Sequence, residues 1–329
     1  MNVPDSSNIL LRWSIGKQDT VALSEYDEAR FLDFLWLAKL SVVSFQKWFP
    51  KARFVVLFNG DGYEEFCETF NSMSPDLRFP IEYMNQKEML KGEIQNPYHF
   101  YPAGVWWKWV PFRLDNSKFE IAIDTDILCL SQPDTWYQWL ERDEEIIIAP
   151  ERYEKVAVNT TGDFHEHPLL VGKKPFNCGV VGQRAGVNFD DRFFEVTQSV
   201  EFGHTHNSLF ITEQGAINLW IRSLEIEGAR YYCLDFGKNA WVRDFVYFLH
   251  RGVRVETLHA VTWHKKIAKG LKEVFEARII DGRYDDDKDF LEAVLKEGLN
   301  LEFIPKHVLG RQLADGQLDN EILIPKTSF

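Results

Sequence analysis

Short apolar runs alternate along this chain with longer segments in which apolar residues recur every three or four positions. Residues 9–15 form the first such run and end at Gly16. Over residues 25–48, Phe31, Phe34, Leu35, Ala38, Val42 and Phe45 fall at helical steps, and Pro50 closes the segment. A brief continuous apolar run predicts a buried strand, and the three-and-four recurrence predicts a helix with one face on a core. Residues 52–58 predict a second strand closed by Asn59-Gly60, residues 63–71 a second helix, and residues 81–84 a third strand. Strand, helix, strand, helix, strand in this order begins a parallel α/β sheet.

Residues 86–104 are polar and predict a loop over the sheet edge, and residues 105–114 predict a helix bent at Pro111. Further strands are expected at 119–123, 145–150, 176–181, 231–234 and 254–258, with helices at 189–200, 212–221, 267–277 and 286–297. Thr212 is the expected N-cap of its helix, with Glu213 in the first turn where the helix dipole favours an acid. Residues 156–174 are polar, contain His165-Glu166-His167, and predict a mobile loop. No glycine-rich phosphate loop follows the first strand, which removes the P-loop and dinucleotide-binding patterns. With no internal repeat and no linker, the expectation is one α/β domain over residues 1–310 and a C-terminal tail over 311–329.

Composition narrows the function classes. Aromatics make up 15% of the 329 residues and include 11 Trp, enough both to fill a core and to line a site for sugars or bases. A net charge of −13 opposes a broad nucleic-acid surface, which needs basic patches against phosphates. Cys67, Cys129, Cys178 and Cys233 are scattered without a Cys-x-x-Cys pair, as reduced thiols are. No apolar run approaches the roughly 20 residues that span a bilayer, and residues 1–7 do not form a secretory signal. A cytoplasmic protein is the expectation.

One stretch carries chemistry. The apolar run Phe119 to Ile123 drives directly into Asp124-Thr125-Asp126 before turning apolar again at Ile127. Acids at the end of a buried strand are costly unless paired or bound to a cation, so this pair is a candidate divalent-metal site. The tripeptide alone also fits a strand-end turn with exposed acids. Asp285 to Asp289 contains the same spacing twice, in what is more simply a solvated helix start.

Four further stretches give the tripeptide its context. Lys108 lies sixteen residues upstream; Phe176-Asn177-Cys178-Gly179-Val180, Glu213-Gln214-Gly215-Ala216-Ile217-Asn218 and His259 with Lys265 follow downstream. Together with Asp124-Thr125-Asp126 and in this order, they resemble the metal-dependent nucleotide-sugar glycosyltransferases of the GT-A fold. The nearest group is the retaining family that includes glycogenin and the lipopolysaccharide galactosyltransferases. The loop after His259 departs from that family in lacking its Gly, Pro and final Trp, which leaves His264 a rival metal ligand.

The resemblance implies a Rossmann-like, mixed and mostly parallel sheet flanked by helices. It also implies a hexosyltransferase that uses a nucleoside diphosphate sugar, a uridine diphosphate hexose first, and an acceptor the sequence does not name, whether a glycan, a lipid-linked glycan or a protein. Asp124, Asp126 and His259 would hold Mn²⁺ or Mg²⁺, ions that suit hard oxygen donors with one imidazole. Lys108, Arg113, Asp124, Thr125, Asn218 and Lys265 (or Lys266) would contact the donor, and Asn177, Glu213 and Gln214 would act at the sugar. The motifs tilt toward retention; an inverting route would draw its base from Glu213, Asp235, His204 or His206. Lys108 and Arg113 also fit snorkelling side chains beside the Trp cluster, and His259 fits a satisfied core histidine. A non-catalytic nucleotide-sugar-binding protein and a metal-dependent nucleotidyl- or phosphotransferase are the competing functions.

Overall fold

The computed structural model of this protein describes residues 5–16, 28–89, 104–198, 209–242, 244–260 and 269–297. The first apolar run is strand β1 (Ile9–Ile15), whose alternation sends Ile9, Leu11, Trp13 and Ile15 into one large core. Leu10 faces the other way, into a small cluster with Val55 and Leu57. Helix α1 (Glu28–Gln46) covers the first face through Leu35, Ala38, Val42 and Phe45. Its other side, Trp36, Leu37 and Leu40, is apolar as well and faces a second core. A helix apolar on two sides belongs between two layers.

The chain continues through β2 (Arg53–Phe58), α2 (Tyr63–Ser72), β3 (Glu82–Asn85) and the single turn α3 (Gln86–Met89). A 3₁₀ segment (Gly104–Trp109) leads into β4 (Phe119–Ile123), β5 (Ile127–Cys129), α4 (Asp134–Glu141) and β6 (Ile146–Pro150). After α5 (Val158–Thr161) and a 3₁₀ turn (Gly162–Glu166) come β7 (Phe176–Gln183), α6 (Asp190–Gln198) and α7 (Leu209–Ile226). The described residues continue through β8 (Tyr231–Cys233), β9 (Asn239–Trp241), α8 (Phe245–His250), β10 (Thr257–His259), α9 (Lys269–Glu276), a π segment (Ala277–Asp281) and α10 (Asp287–Lys296).

Among the described residues, seven strands form the main sheet in the order β3-β2-β1-β4-β7-β6-β8. Neighbours are parallel except where β7 runs antiparallel between β4 and β6. The expected mixed, mostly parallel sheet flanked by helices is therefore present. One feature positions the site. Directly after β4 the chain leaves this sheet, and β5 joins a second, three-stranded sheet in the order β5-β10-β9. There β5 pairs antiparallel with β10, setting Ile127 opposite His259.

Several elements differ from the sequence expectation. The segment at 105–114 is not a bent helix but a 3₁₀ turn that stops at Trp109, because Pro111 cannot donate to a continuing helix. Helix α7 starts at Leu209, so Thr212 lies inside it and is no cap. The segment at 156–174 is not a mobile loop. It holds α5 and a 3₁₀ turn, with Thr160, Thr161, Phe164 and Leu170 buried against α7. Its two histidines are engaged locally: His165 Nδ1 donates to the Gly162 carbonyl (2.9 Å) and His167 Nδ1 accepts from Leu169 N (3.2 Å). The Asp285–Asp289 stretch is a helix start as expected, with Asp286 capping α10 through the amides of Lys288 and Asp289.

Gly215 is where that segment meets α7. A Cβ there would stand 2.0 Å from the Thr161 carbonyl oxygen and 2.8 Å from the Phe164 ring. Backbone on one side and a buried ring on the other leave little room to yield. Gly215→Ala should therefore destabilise the protein by about 1–3 kcal/mol, the usual range for overpacking, measured by urea unfolding. An unchanged midpoint would contradict this packing.

Candidate functional site

Strand β4 is parallel to β1, so its last residue delivers Asp124 to the carboxyl edge of the sheet, where ligands bind in open α/β folds. The turn Asp124-Thr125-Asp126 is fixed at both ends by backbone bonds. Asp124 N donates to the Gly179 carbonyl (2.8 Å), and Ala260 N donates to the Asp126 carbonyl (2.8 Å). The first bond ties the turn to β7 and the second ties it to the end of β10. Because β5 and β10 are paired, the imidazole of His259 arrives at the two carboxylates from the second sheet.

His259 Nε2 lies 3.3 Å from Asp126 Oδ1 and 3.9 Å from Asp124 Oδ2. One ligand atom from each of the three residues falls within 4.8 Å of the other two. Burial alone would lower the His259 pKa, but the charge and hydrogen bond of Asp126, followed by Asp124, carry it above its ordinary value. Two oxygens and one imidazole nitrogen, half-buried and convergent, are a donor set that suits Mn²⁺ or Mg²⁺. Gly179 completes the cradle. A Cβ on it would stand 3.2 Å from both Asp124 Oδ2 and His259 Cε1, and 2.7 Å from Asn177 Oδ1. The cluster needs a residue without a side chain at this position.

Lys108 comes from the 3₁₀ turn and is buried beneath the acids. Its ammonium donates to Asp124 Oδ1 (2.5 Å) and to the Cys178 carbonyl, lies 3.7 Å from Glu213 Oε1, and sits over the Trp109 ring at 4.7 Å. Burial opposes its charge, yet Asp124, with Cys178 and Glu213, holds its pKa above the ordinary lysine value. With its donors directed at groups of the protein itself, Lys108 orients Asp124.

Glu213 faces inward from α7 and accepts from Trp109 Nε1 (2.7 Å). Burial pushes its carboxyl up to about 7; Lys108 pulls against that rise and Asp124 adds to it.

A second network lies beside the cluster. Asn177, at the start of β7, accepts from Gly179 N (2.8 Å) and donates to Gln214 Oε1 (3.1 Å) and Glu151 Oε2 (3.3 Å). Gln214, in the turn of α7 that faces the sheet, donates to Glu151 Oε2 (2.9 Å) and to the Thr160 carbonyl (2.7 Å). Glu151 is thus a buried carboxylate shared by both amides, with its other oxygen on Arg152 N (2.6 Å). Sequence reasoning passed over it. The signal was present, since Glu151 follows the apolar run of β6 just as Asp124 follows β4, and both ends lie on the same sheet edge.

The other expected site residues divide. Thr125 sits partly exposed in the turn between the two acids. Asn218 does not face the cluster; it clamps α7 to β7, accepting from Phe176 N (2.7 Å) and donating to the Phe176 and Gln214 carbonyls (2.9 and 2.7 Å).

Arg113 is not brought to the site either. It is buried beside Glu120 and donates to the carbonyls of Lys118 (2.6 Å), Arg184 (2.8 Å) and Val187. Lys118 precedes β4, and a strand rises about 3.3 Å per residue. That places Arg113 at the amino end, opposite Asp124. Asp235 is exposed and accepts Lys238 N in a turn (3.0 Å). His204, His206, His264, Lys265 and Lys266 lie outside the described residues.

No family model and no curated protein matches the sequence. Solved structures do. The apo structure of the bifunctional glycosyltransferase WbbM superposes with a TM-score of 0.50 at 11% identity, over 89% of this chain and 53% of that one. Apo mouse xyloside xylosyltransferase 1 gives 0.47 at 13% identity, over 78% of this chain and 99% of that one. The galactosyltransferase LgtC, in complex with donor and acceptor sugar analogues, gives 0.43 at 13% identity, over 92% and 99%. The chain spans about half the length of the bifunctional protein. At these identities the likeness is one of fold. The chain has the GT-A type architecture, as its motifs led one to expect.

The buried charges yield a stability prediction. Removing one partner from a buried ionic cluster costs about 3–5 kcal/mol. Lys108→Ala should lower the unfolding free energy by about 3 kcal/mol, and adding Glu213→Gln should recover part of it. A change below about 0.5 kcal/mol, the size of a neutral surface substitution, would show that these charges do not depend on one another.

Proposed function

We propose that this protein is a metal-dependent glycosyltransferase that moves a hexose from a nucleoside diphosphate sugar, a uridine diphosphate hexose, to an acceptor hydroxyl. The observation that carries the reading is the convergence of Asp124, Asp126 and His259 on one point at the carboxyl edge of a GT-A type sheet. When bound there, Mn²⁺ or Mg²⁺ supplies Lewis-acid stabilisation of the negative charge that develops on the departing diphosphate. The chain's own residues do the rest. Asp124, Asp126 and His259 hold the cation, and Lys108 fixes the orientation of Asp124. Asn177 and Gln214, held against each other and against Glu151 beside the cluster, act at the sugar in this reading. Lys265 joins the donor site in this reading, and the catalytic unit spans residues 1–310 with a tail over 311–329.

Retention of the anomeric configuration belongs to the same reading. Inversion needs a carboxylate or imidazole base within reach of the acceptor hydroxyl. Among the described residues, the oxygens of Glu151 are committed to amides and Glu213 is turned inward onto Trp109. That distribution favours retention. A cytoplasmic setting is also part of the reading. It is supported by four free cysteines, as reducing conditions leave them. Among the described residues, no helix is long and apolar enough to cross a membrane.

Incubation with a panel of uridine diphosphate hexoses and Mn²⁺ should release uridine diphosphate, and excess chelator should stop it. Asp126→Ala and His259→Ala should each lower this release beyond the roughly 10- to 100-fold typical of a residue that merely supports a metal ligand, with the protein still folded. Full activity of Asp126→Ala in excess chelator would refute the reading. Release of pyrophosphate would favour a nucleotidyltransferase, and tight donor binding without turnover would favour a non-catalytic binding protein. NMR of the product anomer should show the donor's configuration preserved.

A further inference from the structure

Trp241 is the exception among the tryptophans whose side chains are described. Every other one packs within a hydrophobic core or, as Trp48 and Trp107 do, against one. Trp241 belongs to none of them and keeps part of its surface open. It ends β9 in register with His259 at the end of β10, and the two ring centroids lie 5.1 Å apart at an interplanar angle of 56°. Its position is held from both sides, since Val242 N donates to the His259 carbonyl (2.9 Å) and Asp244 N to the Trp241 carbonyl (2.8 Å). Asp244 is in turn buried in an ion pair with Arg152, the residue after Glu151. Trp241 also lines a recess together with His259, Asn177 and the core residues Ile127, Val180 and Leu234. That recess holds only about 10 Å³, room for one water at most, so nothing as large as a sugar enters it.

A large, partly open indole on a rigid strand, touching a proposed metal ligand and sharing a wall with Asn177, is poorly explained by core packing. It is well suited to the apolar face of a pyranose, whose C–H groups pack on an aromatic ring while its hydroxyls stay free for polar partners. We propose that Trp241 is the platform on which the pyranose ring of a carbohydrate acceptor stacks at this site, making a glycoside the acceptor class. This rests on the transferase reading above and adds the acceptor to it.

The test uses the full chain, Mn²⁺, whichever uridine diphosphate hexose it turns over, and methyl glucoside and methyl galactoside as acceptor probes. Trp241→Ala should raise the acceptor KM about tenfold, the upper end for one aromatic contact, with a smaller change in kcat. Trp241→Phe should recover most of the loss, because a ring is restored without the indole. An unchanged acceptor KM in Trp241→Ala would overturn the proposal. So would a parallel loss of donor hydrolysis and transfer, which would make Trp241 a support for His259. If the wild-type chain turns over no nucleotide sugar, the transferase reading fails by itself. The platform is then read by saturation-transfer NMR of the same glycosides. Contact seen with the wild type and lost in Trp241→Ala supports it; equal or absent contact overturns it.

Discussion

Two carboxylates placed at the end of a buried strand repel each other and lose hydration, and much of the surrounding structure answers that constraint. Asp124 and Asp126 follow the apolar β4 without an intervening polar turn. The protein meets the cost in two ways: a buried ammonium from Lys108 under Asp124, and an imidazole from His259 beside Asp126. Neither arrangement is local in sequence. Lys108 arrives from a turn on the near side of the sheet, and His259 arrives only because the chain splits after β4 into a second sheet. A set of donors that attract a positive charge but are not saturated by one is what a divalent cation requires.

The same edge carries a hydrogen-bonded polar shelf. Asn177 and Gln214 come from a strand and a helix that share no sequence neighbourhood, yet both amides end on Glu151. Asn218, one helical turn beyond Gln214, fixes the distance between that strand and that helix by bonding both backbone groups of Phe176. Gly179 and Gly215 mark where backbone approach is tightest, one against the acid cluster and the other against the segment at α5. Positioning is therefore spread over the whole carboxyl edge, and the groups aimed at a ligand are few.

How much of this was legible depended on the kind of signal. The alternation of strands and helices up to β3 showed plainly, because each helix has an apolar face and the strands β1 and β2 are mostly apolar. Helices α4 and α8 did not show. They have only eight and six residues, too few for a recurrence every three or four positions to stand out. The segment at 156–174 looked like a loop because its polar residues outnumber Phe164 and Leu170, the two that anchor it. For the site, the strand-then-acids pattern located Asp124 and Asp126, whereas His259 needed the family resemblance, since pairing of β5 with β10 leaves no local trace. Asn218 was placed at the donor by its motif and Arg113 by its place beside the Trp cluster. Which way a side chain points in a connecting segment or on a helix face is decided by packing, and packing turned both of them away.

The central claim is that one divalent cation binds between Asp126 and His259. It is tested most directly by anomalous diffraction at the manganese edge, on crystals of the full chain grown with uridine diphosphate and Mn²⁺. Such a cation gives a single strong peak at coordination distance, about 2 Å, from a carboxylate oxygen of Asp126 and from His259 Nε2. A peak bound elsewhere on the chain, or none at saturating manganese, would contradict it.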